Sequence, residues 1–178
     1  MGSPKALLEF RGETFLDGLI GKLQRHCNPV IVVLGHGADE VRANVRRKAL
    51  VVVNRDYPLG MLTSLQCGLR AVPHSCPKAL FTLVDHPNPA DETVRAVVEA
   101  AEAEVVIPRF DGRKGHPVRL SCCVMDELLA LPPAAKPTDV LYRHLNATRF
   151  LDLDDAGIVD DIDDRGAYQE LLARAGAL

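Results

Sequence analysis

Three observations predict an α/β domain with a mostly parallel sheet and helices on both faces. Apolar runs rich in β-branched residues recur along the chain: Val30–Leu34, Leu50–Val53, Ala79–Val84 and Val105–Ile107. Unbroken runs of this length fit strands buried on both faces. Segments of helical period lie between them, so strand and helix alternate as crossover units. At 178 residues the chain suits one domain better than two, and with no repeat or linker visible it is read as a single domain over residues 1–178.

Taken in order, Phe15, Leu16, Leu19, Ile20 and Leu23 form the first helical stripe, and Val94, Val97, Val98 and Ala101 form another. Residues 112–146 break the alternation, with a Gly-rich turn, a short polar strand through Val118 and Leu120, a helix near Val124–Leu131, and Pro132-Pro133. This stretch reads as an insertion beside the main sheet. A last strand near Phe150-Leu151 and a helix carrying Tyr168, Leu171 and Leu172 follow.

Composition removes several function classes. The formal net charge is −3 and basic residues occur only in short runs, which argues against a nucleic-acid groove. Three Tyr, five Phe and no Trp leave little surface on which bases could stack. Five cysteines without C-x-x-C spacing read as reduced thiols. No run of about 18 apolar residues is present to cross a membrane, and the first residues lack a signal-peptide pattern, so a cytoplasmic protein is expected.

In an open α/β sheet, ligands bind outside the carboxyl ends of the strands. The residues that follow the apolar runs are Gly35-His36-Gly37, Asn54, Asp85-His86-Pro87 and Pro108 onward. Asp85 reads either as a cap of its turn or as a ligand for Mg²⁺, which takes one or two carboxylates plus substrate phosphates. His86 reads as a turn residue, because imidazole is a poor partner for Mg²⁺. The run Asp160-Asp161-Ile162-Asp163-Asp164 reads as a helix N-terminus or, beside Asp85, as the source of a second carboxylate. Lys5 follows a small-residue turn and can reach a phosphate as a point charge. Asn54, Gly60 and Ser64 belong to a strand–turn–helix whose N–H groups suit a phosphate or base edge, or simply cap the helix. Gly112–Val118 is a Gly-flanked basic loop, readable as a hairpin or as a clamp for an anionic second substrate.

In this order, the segments resemble the MobA-like nucleotidyltransferases, and among them the molybdenum cofactor cytidylyltransferases. The family's opening motif is matched from its Met-Gly onward by Met1 to Leu8. Its Asn…Gly-Met-x-x-Ser-Leu…Gly segment is matched by Asn54, Gly60, Met61, Ser64, Leu65 and Gly68. The strand-end Asp-Gln-Pro appears as Asp85-His86-Pro87, Gly-His-Pro-Val as Gly115–Val118, and Asp-Ile-Asp as Asp161-Ile162-Asp163.

The resemblance implies a three-layer α/β/α sandwich like that of the nucleotide-diphospho-sugar transferases. It also implies transfer of a nucleotide, CMP from CTP, to the terminal phosphate of a molybdopterin-type cofactor with loss of pyrophosphate. A sugar phosphate or a phospholactate is the alternative acceptor, and a non-catalytic module that delivers a cofactor is the rival from another class. Asp85 and Asp163 would hold Mg²⁺, with Mn²⁺ as the substitute, and Lys5 would neutralise the phosphates. Asn54, Gly60 and Ser64 would line the cleft, His116 would face the acceptor, and a molybdoenzyme would receive the product. The family's first strand and Gly-rich loop have no counterpart from Met1 on, so the expectation is a late-assigned start, two unpaired inner strand edges, and poor CTP binding by the 178-residue form.

Overall fold

A computed structural model describes residues 4–176; Met1, Gly2 and Ser3 of the opening motif lie outside the described residues. The chain opens with a turn at Lys5–Leu7 and a tight hairpin of β1 (Glu9–Phe10) and β2 (Glu13–Thr14). Helix α1 (Phe15–Gln24) starts where the Thr14 hydroxyl accepts the Asp17 N–H at 3.1 Å. Strand β3 (Ile31–Leu34), helix α2 (Ala38–Asn44) and strand β4 (Leu50–Val53) form a crossover unit, and β3 pairs with β4 in parallel. Helix α3 (Met61–Arg70) leads to β5 (Lys78–Phe81), and α4 (Asp91–Glu99) leads to β6 (Val105–Phe110).

After β7 (Arg113–Lys114), strand β8 (Val118–Ser121) lies antiparallel between β5 and β6. Helices α5 (Cys122–Ala130) and α6 (Pro137–Arg143) follow it, then β9 (Thr148–Asp152), which is parallel to β6, and α7 (Arg165–Gly176). The architecture is the expected α/β sandwich with its helices on both faces. The sheet, however, is mixed rather than parallel throughout, and the stretch read as an insertion supplies an interior strand. Val118, Arg119 and Leu120 are all buried. The short polar appearance of β8 misled because Arg119 points to the opposite face from its neighbours. There it donates to the carbonyls of Val98, Ala100 and Ala101 at 2.9, 2.7 and 2.9 Å, satisfying the C-terminal end of α4.

One core joins α3, α5 and α6 to the sheet through Leu65, Leu69, Val105, Leu120, Val124 and Leu128. A second packs Leu16 and Ile20 of α1 against Val32 and Leu34 of β3 and Val41 of α2. A third joins Phe15 to Ile162 and to Leu171 of α7. Among the described residues, no helix is long and apolar enough to cross a membrane.

The β3–β4 pair does not meet the five-stranded sheet of β5 to β9. Among the described residues no strand pairs with the outer edge of β3 or with the β5 edge away from β8, as expected for two unpaired inner edges. Between them runs a slot of about 510 Å³, walled by Val30–Val33 on one side and Lys78–Val84 on the other. Leu19, Ile20 and Leu23 of α1 line it, as do Leu65 and Leu69 of α3. Three consecutive residues of β3, Ile31–Val33, and all four of β5 can line a single cavity only if their backbone edges face it. The strands also run the same way, because their carboxyl ends meet at one place: Pro4 lies against Gly37, which follows β3, and Lys5 reaches Asp85, which follows β5.

Candidate active site

Asp85 stands past the carboxyl end of β5, and the Ile162 N–H donates to its backbone carbonyl at 2.9 Å. That bond brings the acidic run alongside. Ile162 itself is buried against Phe15 and Leu171, so its two neighbours turn outward on the same side. They then divide. Asp161 joins Asp85 and His86 in a trio whose donor atoms all lie within 4.8 Å of one another. Asp163 instead takes the ammonium of Lys5 in a close ion pair, while the same ammonium stands 4.0 Å from Asp85 Oδ2. The sequence singled out Asp163 as the partner of Asp85 on a cation; the geometry gathers Asp85 and Asp163 around the Lys5 ammonium and sets Asp161, two residues before Asp163, beside Asp85.

The turn that carries Asp85 is braced from behind. Lys22 of α1 donates to the carbonyls of Pro89 at 2.9 Å and Pro87 at 3.4 Å, and burial lowers the pKa of its ammonium. His86 stacks on His116 with ring centroids 4.7 Å apart, and Phe81 meets the other ring edge-on at 5.6 Å. Burial first, and then the adjacent His86, pushes the His116 pKa down to about 4, so its ring is neutral near pH 7. The loop that holds it is packed tightly: the His116 N–H donates to the Ile158 carbonyl at 3.0 Å, and a side chain at Gly115 would strike Ile158.

The residues present fit a divalent cation. Asp85 Oδ1, His86 Nδ1 and His116 Nδ1 are buried without hydrogen-bond partners among the described residues. Leaving a buried polar atom unmatched costs about 1–3 kcal/mol, so one carboxylate oxygen and two ring nitrogens in this state, with the Asp161 carboxylate beside them, mark a place that suits a charged ligand. A second trio, Cys123, Glu127 and His144, differs because its carboxylate is already taken, by Arg143 at 2.8 Å and His144 at 2.7 Å.

Asn54, Gly60 and Ser64 form a separate group on the β4 side of the slot. Asn54 is buried and donates to Thr63 Oγ1 and Ser64 Oγ at 2.9 Å each, while its carbonyl oxygen accepts the Asp56 N–H at 2.9 Å. It therefore braces the turn into α3, and its own amide is spent. Gly60 at φ 115°, ψ 175° holds a conformation that glycine alone adopts without strain. The turn displays Tyr57, Leu59 and Met61 to solvent, and His36 Nδ1 lies 3.4 Å from the Tyr57 hydroxyl. Sequence reading placed Asp161 in the acidic run without singling it out, took His86 as a turn residue, and gave Tyr57 no role of its own. Only Asp161 had a signal, the single apolar residue inside an acidic run.

The chain is similar to several known proteins. A family model described as the MobA-like NTP transferase domain matches residues 1–148. The bifunctional IPC transferase and DIPP synthase of Rubrobacter xylanophilus is 31% identical over 102 residues, which are 54% of this chain; the match spans only 22% of that much longer protein. The crystal structure of Rv0371c from Mycobacterium tuberculosis H37Rv superposes with a TM-score of 0.85 at 28% identity, covering 97% of this chain and 90% of that one. A manganese complex of that protein gives 0.82 at 28% identity over 96% and 91%. A nucleotidyl transferase from Methanothermobacter thermautotroptrophicus shares the fold, with a TM-score of 0.82 at 21% identity over 96% and 84%.

Proposed function

From the premise that the chain belongs to the MobA-like NTP transferase family, and is thus a nucleotidyltransferase that works with a divalent metal, we propose that it transfers CMP from CTP to the terminal phosphate of a molybdopterin-type cofactor. The observation that carries the reading is the meeting of Asp85, Asp161 and Lys5 at the carboxyl edge of β3 and β5. The acceptor's phosphate oxygen bonds to the α-phosphorus, the bond from that phosphorus to the bridging oxygen breaks, and pyrophosphate carries the electron pair away. No side chain has to act as nucleophile, so the protein's task is positioning and charge neutralisation.

In this reading Asp85 and Asp161 hold the cation, which supplies positive charge to the triphosphate oxygens. Lys5, steadied by Asp163, places a second positive charge beside it. Asn54 and Gly60 fix the Tyr57–Met61 turn, whose exposed apolar rim offers a surface to a flat ring system, and Ser64 lines the slot behind it. The neutral ring of His116 belongs to the Gly115–Val118 loop, whose Gly-His-Pro resembles the cytidylyl rather than the guanylyl branch, and would face the acceptor. The product would pass to a molybdoenzyme, and the setting is the cytoplasm.

One observation supports a second reading with a sugar phosphate or phospholactate as acceptor: the stretch shared with the Rubrobacter protein, an IPC transferase by name. Pyrophosphate release separates the two when each nucleoside triphosphate is paired with molybdopterin, sugar phosphates and phospholactate. The expected result is release with CTP and molybdopterin and a cytidine dinucleotide product by mass. Release only with a sugar phosphate or phospholactate moves the assignment to the second reading. No release, with no Mg-nucleotide binding in calorimetry, leaves a non-catalytic delivery module.

A further inference from the structure

We propose that His86 is a nitrogen ligand of the bound cation, and that with Asp85 and Asp161 it forms a mixed nitrogen and oxygen site that takes a first-row transition ion such as Mn²⁺ in preference to Mg²⁺. The proposal rests on the reading of Asp85 and Asp161 as cation ligands and adds to it the identity of a third donor and the metal it selects.

Three observations carry it. A ring nitrogen of His86 falls within the same 4.8 Å set as the two carboxylates, with no rearrangement of the backbone. The ring stacks on His116, and the residue that carries it is held in its turn: the backbone N–H of His86 donates to the Leu83 carbonyl at 3.2 Å, and the Pro87 that follows is buried. A ring so fixed loses little freedom on binding a metal. Finally, Nδ1 of His86 and Oδ1 of Asp85 are both buried and without partners. Lys5, the nearest cationic side chain to Asp85, is already engaged by Asp163 and stands 4.0 Å from the other oxygen of Asp85. Among the described residues, therefore, no group satisfies this pair of acceptors at once.

The donor set decides the metal. Mg²⁺ asks for oxygen ligands and near-octahedral geometry and sheds its waters reluctantly. Imidazole suits transition ions, and affinity for a site with nitrogen donors rises along the first row from Mn²⁺ onward. A turn containing only the carboxylate would serve either ion; one that sets an imidazole beside the carboxylate discriminates.

The test is direct. Mn²⁺ is added to the full chain without nucleotide, and its electron spin echo is examined for modulation by a ligating nitrogen. Binding constants for Mn²⁺ and Mg²⁺ are then compared in the wild type, His86→Gln and His116→Gln, with melting curves to establish that each variant is folded. The expected result is nitrogen modulation in the wild type and in His116→Gln, and its loss in His86→Gln. The same change should weaken Mn²⁺ binding by at least the roughly 10-fold that loss of an outer-shell partner costs, leaving Mg²⁺ binding unchanged. Modulation that persists in His86→Gln, or disappears only in His116→Gln, overturns the assignment. Mn²⁺ binding without nitrogen modulation also overturns it while leaving the two carboxylates as ligands. Failure of Mn²⁺ to bind at all, even with CTP present, removes the underlying cation reading too. Should His86→Gln fail to fold, His86→Asn serves in the same comparison.

Discussion

Strands β5 and β6 are built from similar apolar runs, yet they end in different environments. Val105 and Val106 of β6 are fully buried, with β8 on one edge and β9 on the other. Every residue of β5 from Lys78 to Phe81 remains partly exposed, because only one edge is paired and the other faces the slot. The comparison separates two things that an apolar run conflates. Composition says where a strand belongs; burial is reached only when both edges have neighbours. The half of the molecule around β6 and β8 is a finished core. The half around β3 and β5 carries the candidate site on elements with open edges.

The strongest way to break this contrast is to fill the slot. A form extended upstream of residue 1 by an apolar strand-forming segment should pair with both free edges, since residue 4 already lies at their shared carboxyl end. At this chain length each kcal/mol gained moves the melting midpoint about 2–4 °C, so a filled slot should raise it by at least roughly 10 °C. The same form should bind CTP with Mg²⁺, in calorimetry, more tightly than the 178-residue form. An unchanged midpoint would mean that the two halves are equally finished as they stand.

Paired truncations sharpen the contrast. Leu120→Ala, in β8, should cost about 2–5 kcal/mol in urea denaturation. Leu80→Ala, in the slot wall, should cost about 1 kcal/mol or less, because its side chain is only partly removed from water. Asp85→Asn tests whether the open half is the working one: turnover should fall about 10²-fold with the melting midpoint nearly unchanged.

The smallest effect is a pH dependence. The His116 pKa lies at about 4 in the folded protein, below the ordinary value of 6.5, because burial disfavours the charged ring. The unfolded chain therefore binds the extra proton first as pH falls. The ring's contribution to stability is complete above about pH 6.5 and is lost progressively towards pH 4. His116→Gln should flatten that part of the curve of stability against pH.

Much of this was legible in the residues. The apolar runs at Val30, Leu50, Ala79 and Val105 all became strands, and the stripes from Phe15 and Val94 became helices. Asp85 could be singled out because a polar residue after an apolar run falls on the ligand-binding edge, and Lys5 because it follows a small-residue turn in the opening motif. What was not legible depended on contacts distant in sequence. Alternation about Ile162 puts Asp161 and Asp163 on one side, but only the tertiary position of Lys5 decides which of them it takes. Nothing near β8 announces that Arg119 satisfies the end of a helix some twenty residues earlier. His86 looked like punctuation in a turn until the fold laid Asp161 against it.

The ion pair between Lys5 and Asp163 joins residues 158 positions apart, and Tyr168 reaches back in the same way to the Glu9 carbonyl at 2.6 Å. The site is thus a clasp between the two ends of the described chain. During synthesis the strands, the slot and the Asp85 turn can all be in place while the clasp is still open, since residues 161–168 have not yet emerged. The region matched by the family model stops at residue 148, short of half of that clasp. A fragment cut there should keep much of the sheet and lose the charge pattern that Asp161 and Asp163 bring beside Asp85 and Lys5.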